Sequence, residues 1–311
     1  MEKFNRILAV IDPTQTEQKA LNRAIELASK TGASVTAIMT IFDFSYEMTT
    51  MLSSEERQLM QSAVIDDRSN WLEGILDKKA DQASQLHARV LWHNRPYQAI
   101  LETVLKDNYD LVIKATHEHD VLKSVIFTPT DWHLLRKCPV PLLLVKEHAW
   151  PENSKIIAAV NVSSDEAEHR SLNKKIIEQA KSAARVLHSD AILVNCYPGT
   201  PVSLAVEIPE FDPSSYIESI RQHHLDAMQT YADQYQVKPE HCVVEEGLAE
   251  EVVPKLSTEM DAELVVLGTI GRTGLSAAII GNTAEHMLDA INCDVLALKP
   301  EGYVCPIKLN T

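Results

Sequence analysis

The sequence predicts an α/β fold with two tandem doubly wound domains, each built on a five-stranded parallel sheet. Two observations predict it: short apolar strand patterns alternate with helical patterns, and the whole series occurs twice along the chain. Strands that are apolar throughout are covered by helices on both faces, and right-handed crossovers then produce a doubly wound sheet. Ligands of such sheets bind at the carboxyl ends of the strands.

The repeat is carried by three pairs of apolar segments that correspond between the halves. They are residues 7–12 and 156–161, residues 109–113 and 262–266, and residues 140–145 and 294–298. In both halves a helical pattern with a Leu-Asn pair follows the first strand, at Leu21-Asn22 and at Leu172-Asn173. The chain therefore contains two copies of one domain.

The boundary between the halves is predicted in residues 147–153, which are polar and contain a proline. This gives domains of residues 1–149 and 150–311. Each half also has an insert between its second and third strands, at residues 42–52 and 210–216, and each insert continues into a long helical pattern.

Composition excludes several classes of function. The net charge of −15 argues against direct binding of nucleic acid or of an anionic membrane surface, because both reward basic proteins. No apolar run approaches the length of a membrane span, and the start of the sequence leaves no room for a signal peptide. The five cysteines are odd in number and lack C-x-x-C spacing, which is typical of reduced thiols in the cytoplasm.

Residues 268–283 form the most informative stretch, because four of the nine glycines of the chain lie there. The stretch follows an apolar strand pattern and leads into a helical one. Glycines let the backbone approach a ligand closely, and the start of a helix presents unpaired N–H groups, so this arrangement predicts an anion site, most often for phosphate. Its spacing is neither that of the dinucleotide motif nor that of a P-loop.

The spacing G-x2-G-x9-G followed by Asn282 and Thr283 resembles the nucleotide-binding loop of the universal stress protein family. The resemblance implies an adenine-nucleotide-alpha-hydrolase-like fold, with the two copies paired as a pseudo-dimer inside one chain. It also implies ATP or AMP as the candidate ligand of the second domain. Asn282 stands where the ATP binders of the family carry Ser or Thr, so it can donate a hydrogen bond to phosphate but lacks the hydroxyl. The candidate binding residues are Asn161, Gly268, Gly271, Arg272, Gly281, Asn282 and Thr283.

The first domain is predicted to be degenerate. Residues 115–120 replace the glycine loop, Glu118 stands at the place of its second glycine, and Thr128 stands at the place of the third. Conversely, Asp12 ends the first strand of this domain where the second domain has Asn161. In the family's nucleotide binders, an acid at this position contacts the base end of the ligand. Neither copy holds the full set, so we expect the first domain to be free of ligand.

The resulting hypothesis is a non-catalytic, cytoplasmic stress-response protein that binds a small phosphate-bearing ligand. The resemblance implies resistance to DNA-damaging agents as its role. Two alternatives remain open: a ligand-free scaffold for protein partners, and a binder of an amphipathic, lipid-like ligand with a phosphate head. A homodimer also remains open. His117 and His119, with His93 and His133, are the best metal candidates, but no cysteine pair or H-E-x-x-H helix supports them, so no metal site is predicted.

Overall fold

The structure, a computed structural model, describes residues 4–45, 53–83, 85–118, 125–146, 150–151, 154–199, 212–269 and 282–309. Within these ranges the chain divides into two compact units. The N-terminal unit consists of residues 4–117, 127–146 and 304–309, and the C-terminal unit consists of the remaining described residues.

The N-terminal unit is built on a parallel sheet of five strands. Its order is β7-β4-β1-β2-β3. The strands are β1 (Arg6–Val10), β2 (Ser34–Ile41), β3 (Leu86–Trp92), β4 (Leu111–Ala115) and β7 (Leu142–Val145). The helices that connect them are α1 (Lys19–Thr31), α2 (Ser54–Asp77), α3 (Pro96–Asp107) and α4 (Pro129–Lys137). Two short strands, β5 (His117–Glu118) and β6 (Val125–Ile126), lie outside this sheet, and Glu118 and β6 belong to the C-terminal unit.

The C-terminal unit repeats this topology with the order β10-β9-β8-β11-β12. Its strands are β8 (Lys155–Ala159), β9 (Asp190–Tyr197), β10 (Cys242–Glu246), β11 (Ala262–Gly268) and β12 (Asp294–Leu298). Its α-helices are α5 (Ala167–Leu187), α6 (Pro213–Tyr235), α7 (Ala249–Glu259) and α8 (Asn282–Ala290). A 3-10 turn, Pro239–His241, precedes β10.

Both predicted sheets are confirmed, and so is the strand order of a doubly wound fold. In each unit the first strand lies at the centre, between the second and the fourth strands of that unit. The central residues of β1 and β8, Leu8 and Ile157, have no exposed surface. This full burial follows from helices on both faces of the sheet, as the uniformly apolar strand patterns predict.

Local sequence signals explain where the helices begin and end. Thr128 and Asp131 form a capping box at the start of α4, and Pro129 occupies the first turn, where its missing N–H is not needed. α1 ends at Gly32, whose φ of 77° lies in the left-handed region that favours glycine. The long helical patterns predicted after the two inserts are confirmed as α2 and α6; residues 46–52 of the first insert and residues 210–211 of the second lie outside the described residues.

Two findings bear on the classes of function weighed above. Among the described helices, none combines the length and the apolar composition needed to cross a lipid bilayer. None of the five cysteines forms a disulfide.

Candidate functional site

The C-terminal unit contains a cavity of about 490 Å³ at the carboxyl ends of β8, β9 and β11. The central strand β8 pairs with β9 on one side and with β11 on the other, so the crossovers leave in opposite directions at this point. This is the place where open α/β sheets bind ligands, and the volume lies within the range of small-molecule sites.

The wall of the cavity is apolar in some parts and polar in others. Its apolar residues are Ala159, Val160, Leu172, Ile176, Val194, Pro198, Ala249, Val253, Leu267, Ala284 and Met287, and its other residues are Asn161, Ser163, His169, Asn173, Asn195, Cys196, His224, Gly268 and Thr283. No lysine, arginine or carboxylate occurs in this described part of the wall. The described wall therefore carries little formal charge.

Asn161, the predicted contact at the end of the first strand, is held in place by Asn173 of α5. The Asn161 N–H donates to Asn173 Oδ1 over 3.1 Å, and Asn173 Nδ2 donates to the Asn161 carbonyl oxygen over 2.7 Å. Asn173 Nδ2 also donates to the Tyr231 hydroxyl over 3.1 Å. The side chain of Asn161 is exposed, and its Oδ1 accepts a hydrogen bond from Ser163. Its amide nitrogen is therefore available at the cavity.

A second amide, that of Asn195 on β9, links the loop after β8 to helix α6. Asn195 Oδ1 accepts from the Val162 N–H over 3.2 Å, and Asn195 Nδ2 lies 2.7 Å from His224 Nδ1. Asn195 and His224 are 1% and 6% exposed, so this polar pair is buried. It forms part of the cavity wall.

The wall also contains two other ionisable groups, the Cys196 thiol and the His169 imidazole. Burial, with the nearby charges of Glu245 and Glu250, raises the pKa of the Cys196 thiol to about 11. The thiol is thus protonated at neutral pH and is a poor nucleophile. His169 Nδ1 lies 3.0 Å from a Glu166 carboxylate oxygen.

Gly268 lies at the end of β11, directly under a side chain of α5. A Cβ at this position would lie 2.2 Å from Leu172 Cδ2 and 2.9 Å from Leu172 Cγ. The sequence interpretation explained this glycine by the approach of a ligand, and the structure adds a packing reason for it. Leu172 itself is 5% exposed and lines the cavity.

The structure describes part of the predicted binding set. Asn161, Gly268 and Thr283 all line the cavity, although they come from three different segments. Asn282 begins helix α8. Gly271, Arg272 and Gly281 lie outside the described residues, so the phosphate-binding role of the loop stays a prediction.

Among the residues of the wall that are not apolar, sequence reasoning missed Ser163, His169, Asn173, Asn195, Cys196 and His224. The repeated Leu-Asn pair marked Asn173 but gave no role for it. No pattern marked Asn195 or His224. His223 and His224 are neighbours on α6, and their ring planes lie at 87° to each other.

The N-terminal unit has an ion pair at the equivalent place. Lys114 Nζ lies 2.7 Å from Asp131 Oδ1, and the Asp131 side chain has no exposed surface. The other oxygen of Asp131 accepts from the Thr128 N–H over 2.7 Å, so the carboxylate occupies the N-terminus of α4. An anion is already present there as part of the protein.

The offset that relates residues 109–113 to residues 262–266 also equates Lys114 with Leu267 and, in the next helix, Asp131 with Ala284. Both of these residues line the cavity of the C-terminal unit. The same two positions therefore carry a buried ion pair in one unit and apolar cavity walls in the other. Within the described residues, no group of three or more His, Cys, Asp or Glu side chains is placed to hold a metal, and His119 lies outside them.

The tandem doubly wound fold and the cavity at its strand ends define the class of protein. Residues 3–146 and 155–299 each match the model of the Universal stress protein family. The chain belongs to the universal stress protein family, with two copies of its domain.

Within this family the chain is similar to Universal stress protein E along its whole length. It is 45% identical over 311 residues to Universal stress protein E of Salmonella typhi, covering 100% of this chain and 99% of that protein. It is 41% identical over 303 residues to the Universal stress protein E homolog of Haemophilus influenzae, covering 96% of this chain and 98% of that protein.

Solved structures agree with the tandem fold. A functionally unknown protein from Pseudomonas aeruginosa PAO1 is 30% identical, with a TM-score of 0.73 over 96% of this chain and 93% of that chain. A universal stress protein from Archaeoglobus fulgidus is 14% identical, with a TM-score of 0.60 over 95% of this chain and 96% of that chain, and this likeness shows the fold alone.

Proposed function

We propose that the C-terminal unit binds an adenine nucleotide, ATP or AMP, or another phosphate-bearing small molecule in the cavity at its strand ends. The observation that carries this proposal is the cavity itself, which joins Asn161, Gly268 and Thr283 at the switch point of the sheet. The start of α8 beside Thr283 supplies backbone N–H groups that favour phosphate.

We propose further that binding is not followed by catalysis. A nucleotidase needs a carboxylate to hold a metal and a group to orient water. The described wall of the cavity offers no carboxylate, and burial keeps the pKa of its single thiol high. The protein would then act through its bound and free states, as a cytoplasmic protein of the stress response. Resistance to DNA-damaging agents is the part of this role that a deletion strain would test.

The N-terminal unit is proposed to serve as structure and to bind no nucleotide. The Lys114–Asp131 pair supports this, because it places a side-chain carboxylate at the N-terminus of α4, where a phosphate would otherwise bind. One ligand per chain is therefore expected.

The internal repeat supplies a direct test of the proposed site. The double variant Leu267→Lys, Ala284→Asp transfers the ion pair of the N-terminal unit into the cavity wall of the C-terminal unit. Calorimetric titration of the unaltered protein with ATP and AMP should show one site per chain, and the double variant should show none.

The matched control is the reverse exchange, Lys114→Leu with Asp131→Ala. It leaves the cavity untouched, so ATP should bind with the same affinity and the same stoichiometry as in the unaltered protein. If the double variant binds nucleotide as the unaltered protein does, the nucleotide binds outside this cavity. A failure of ATP and AMP to bind at all would refute the nucleotide proposal.

A further inference from the structure

The buried pair of Asn195 and His224 can be compared with the equivalent position of the N-terminal unit. The N–H after β8, on Val160, donates to the Val194 carbonyl, and the equivalent N–H of Ile11 donates to the Ile38 carbonyl. Since Val194 corresponds to Ile38, the next residue, Asn195, corresponds to Met39.

Met39 is a fully buried apolar residue. The same strand of the same fold is therefore completed in one unit by a methionine and in the other by an asparagine bonded to a histidine. Buried polar groups cost free energy unless each of them is hydrogen-bonded, so an apolar residue such as Met39 is the simpler way to complete this strand. The pair occurs in the unit that has the cavity and lies in the cavity wall, which points to a role in binding.

The hydrogen bonds fix the orientation of the pair. The backbone N–H of Val162 can only donate, so the atom of Asn195 that faces it is the carbonyl oxygen. The amide nitrogen then faces His224 Nδ1, and because this nitrogen donates, Nδ1 must accept. The proton of the neutral imidazole is therefore on Nε2.

The Nε2–H group has no hydrogen-bond partner among the described residues. The His224 ring contacts Asn195, the ring of Tyr197 at 5.5 Å between centroids and the ring of His223 at 5.8 Å. Although His224 is 94% buried, since only 6% is exposed, it lines the cavity. A donor without a protein partner, on a ring that lines empty space, is a group suited to bind a ligand.

We infer that His224 Nε2–H donates a hydrogen bond to an acceptor atom in the heterocyclic base of the nucleotide, and that Asn195 is a positioning residue that fixes the tautomer. This inference rests on the proposed function and adds the group that recognises the base. The ligand class is a flat heterocycle with a ring nitrogen or carbonyl oxygen at its inner end, because such an atom satisfies the donor without adding charge.

Calorimetric titration with ATP tests the inference on three variants of the full chain. His224→Phe removes the donor, and Asn195→Met installs the residue of the other unit while leaving the imidazole without its fixed tautomer. We expect each to raise the Kd for ATP about tenfold, the effect of losing one buried hydrogen bond. His224→Gln retains an amide N–H near the position of Nε2 and should recover most of the affinity.

Inorganic triphosphate is the control probe for the same variants. It has no base, so its affinity should be the same for the unaltered protein and for His224→Phe. Nitrogen NMR of the ligand-free protein should show the Nε2–H tautomer of His224, and Asn195→Met should restore a mixture of tautomers.

The outcomes separate the two proposals. ATP that binds the unaltered protein and all three variants with one affinity overturns the inference while the proposed function stands. An unaltered protein that binds neither ATP nor AMP overturns both. An Nδ1–H tautomer in the ligand-free protein overturns the inference whatever the binding data show.

Discussion

Asn173 satisfies both backbone groups of Asn161, accepting from its N–H at 3.1 Å and donating to its carbonyl oxygen at 2.7 Å. In the N-terminal unit, Gln18 does the same for Asp12, with distances of 3.1 and 2.7 Å. Gln18 precedes α1 by one residue, whereas Asn173 lies inside α5. The two units thus fix the end of their central strand with the same contacts, made by amides at different positions.

Replacing Asn173 by Ala should destabilise the protein by about 1 to 3 kcal/mol, because Asn173 is 3% exposed and its partners lose their hydrogen bonds. Asn22 is the matched control, since it is the counterpart of Asn173 in the repeat. Asn22 Oδ1 is buried without a hydrogen bond in the described structure, and Asn22 Nδ2 makes only a 3.4 Å bond to Glu17. Asn22→Ala should therefore cost less than about 0.5 kcal/mol. Urea unfolding measures both, and equal losses would contradict this division.

This comparison shows what could be predicted from the sequence and what could not. The five strands of each unit were predictable, because burial on both faces leaves a continuous apolar run such as residues 264–267. The role of Asn173 was not, because its counterpart Asn22 has the same sequence context and does not make the contact. Asn195 and His224 lie 29 residues apart, and only the packing of α6 against β9 brings them together.

The ion pair of the N-terminal unit gives the second stability prediction. Asp131→Ala alone leaves the buried Lys114 ammonium without its partner and removes the cap of α4, so a loss of about 3 to 5 kcal/mol is expected. Lys114→Leu with Asp131→Ala also removes the charge that was left unpaired, so the double variant should be more stable than the single one. Urea unfolding of the two proteins decides this, and a double variant that is less stable than Asp131→Ala would show that the pair is not coupled in this way.

Nucleotide binding is expected to depend on pH through His224. Burial, with the nearby His223, lowers the pKa of His224 below its ordinary value of 6.5. The neutral ring accepts from Asn195, whereas a protonated ring would place two donors face to face, so protonation should disrupt the wall of the cavity. The affinity for ATP should be constant above about pH 6.5 and should fall as the pH decreases through the lowered pKa.

The same shift predicts a loss of stability in acid. A histidine whose folded pKa is lowered binds its proton more readily when unfolded, so stability is fully present above the unfolded pKa and falls as the pH drops below it. The other titratable groups near His224 are Tyr197 and His223, which contact its ring, and Cys196 and His169, which share the cavity wall. His224→Phe should reduce the pH dependence of both binding and stability, and an unchanged profile in this variant would assign the effect to another group.

Gly268 and Leu172 supply the last prediction. A methyl group on Gly268 would meet Leu172 Cδ2 at 2.2 Å, so Leu172 must leave its position. Gly268→Ala should therefore destabilise the protein by about 1 to 3 kcal/mol, as overpacking does. Leu172→Ala alone should cost about 2 to 5 kcal/mol, because it empties a buried site. Combined, the two changes should cost less than their sum, since the added methyl occupies part of the space that Leu172 vacates.

Gly74→Ala is the control: Gly74 lies in α2 with no atom within 4 Å of an added Cβ, so this change should stabilise by about 0.5 to 1 kcal/mol. Urea unfolding of the four variants measures the coupling. If the losses of Gly268→Ala and Leu172→Ala were strictly additive, contact with Leu172 would not be the reason for a glycine at position 268.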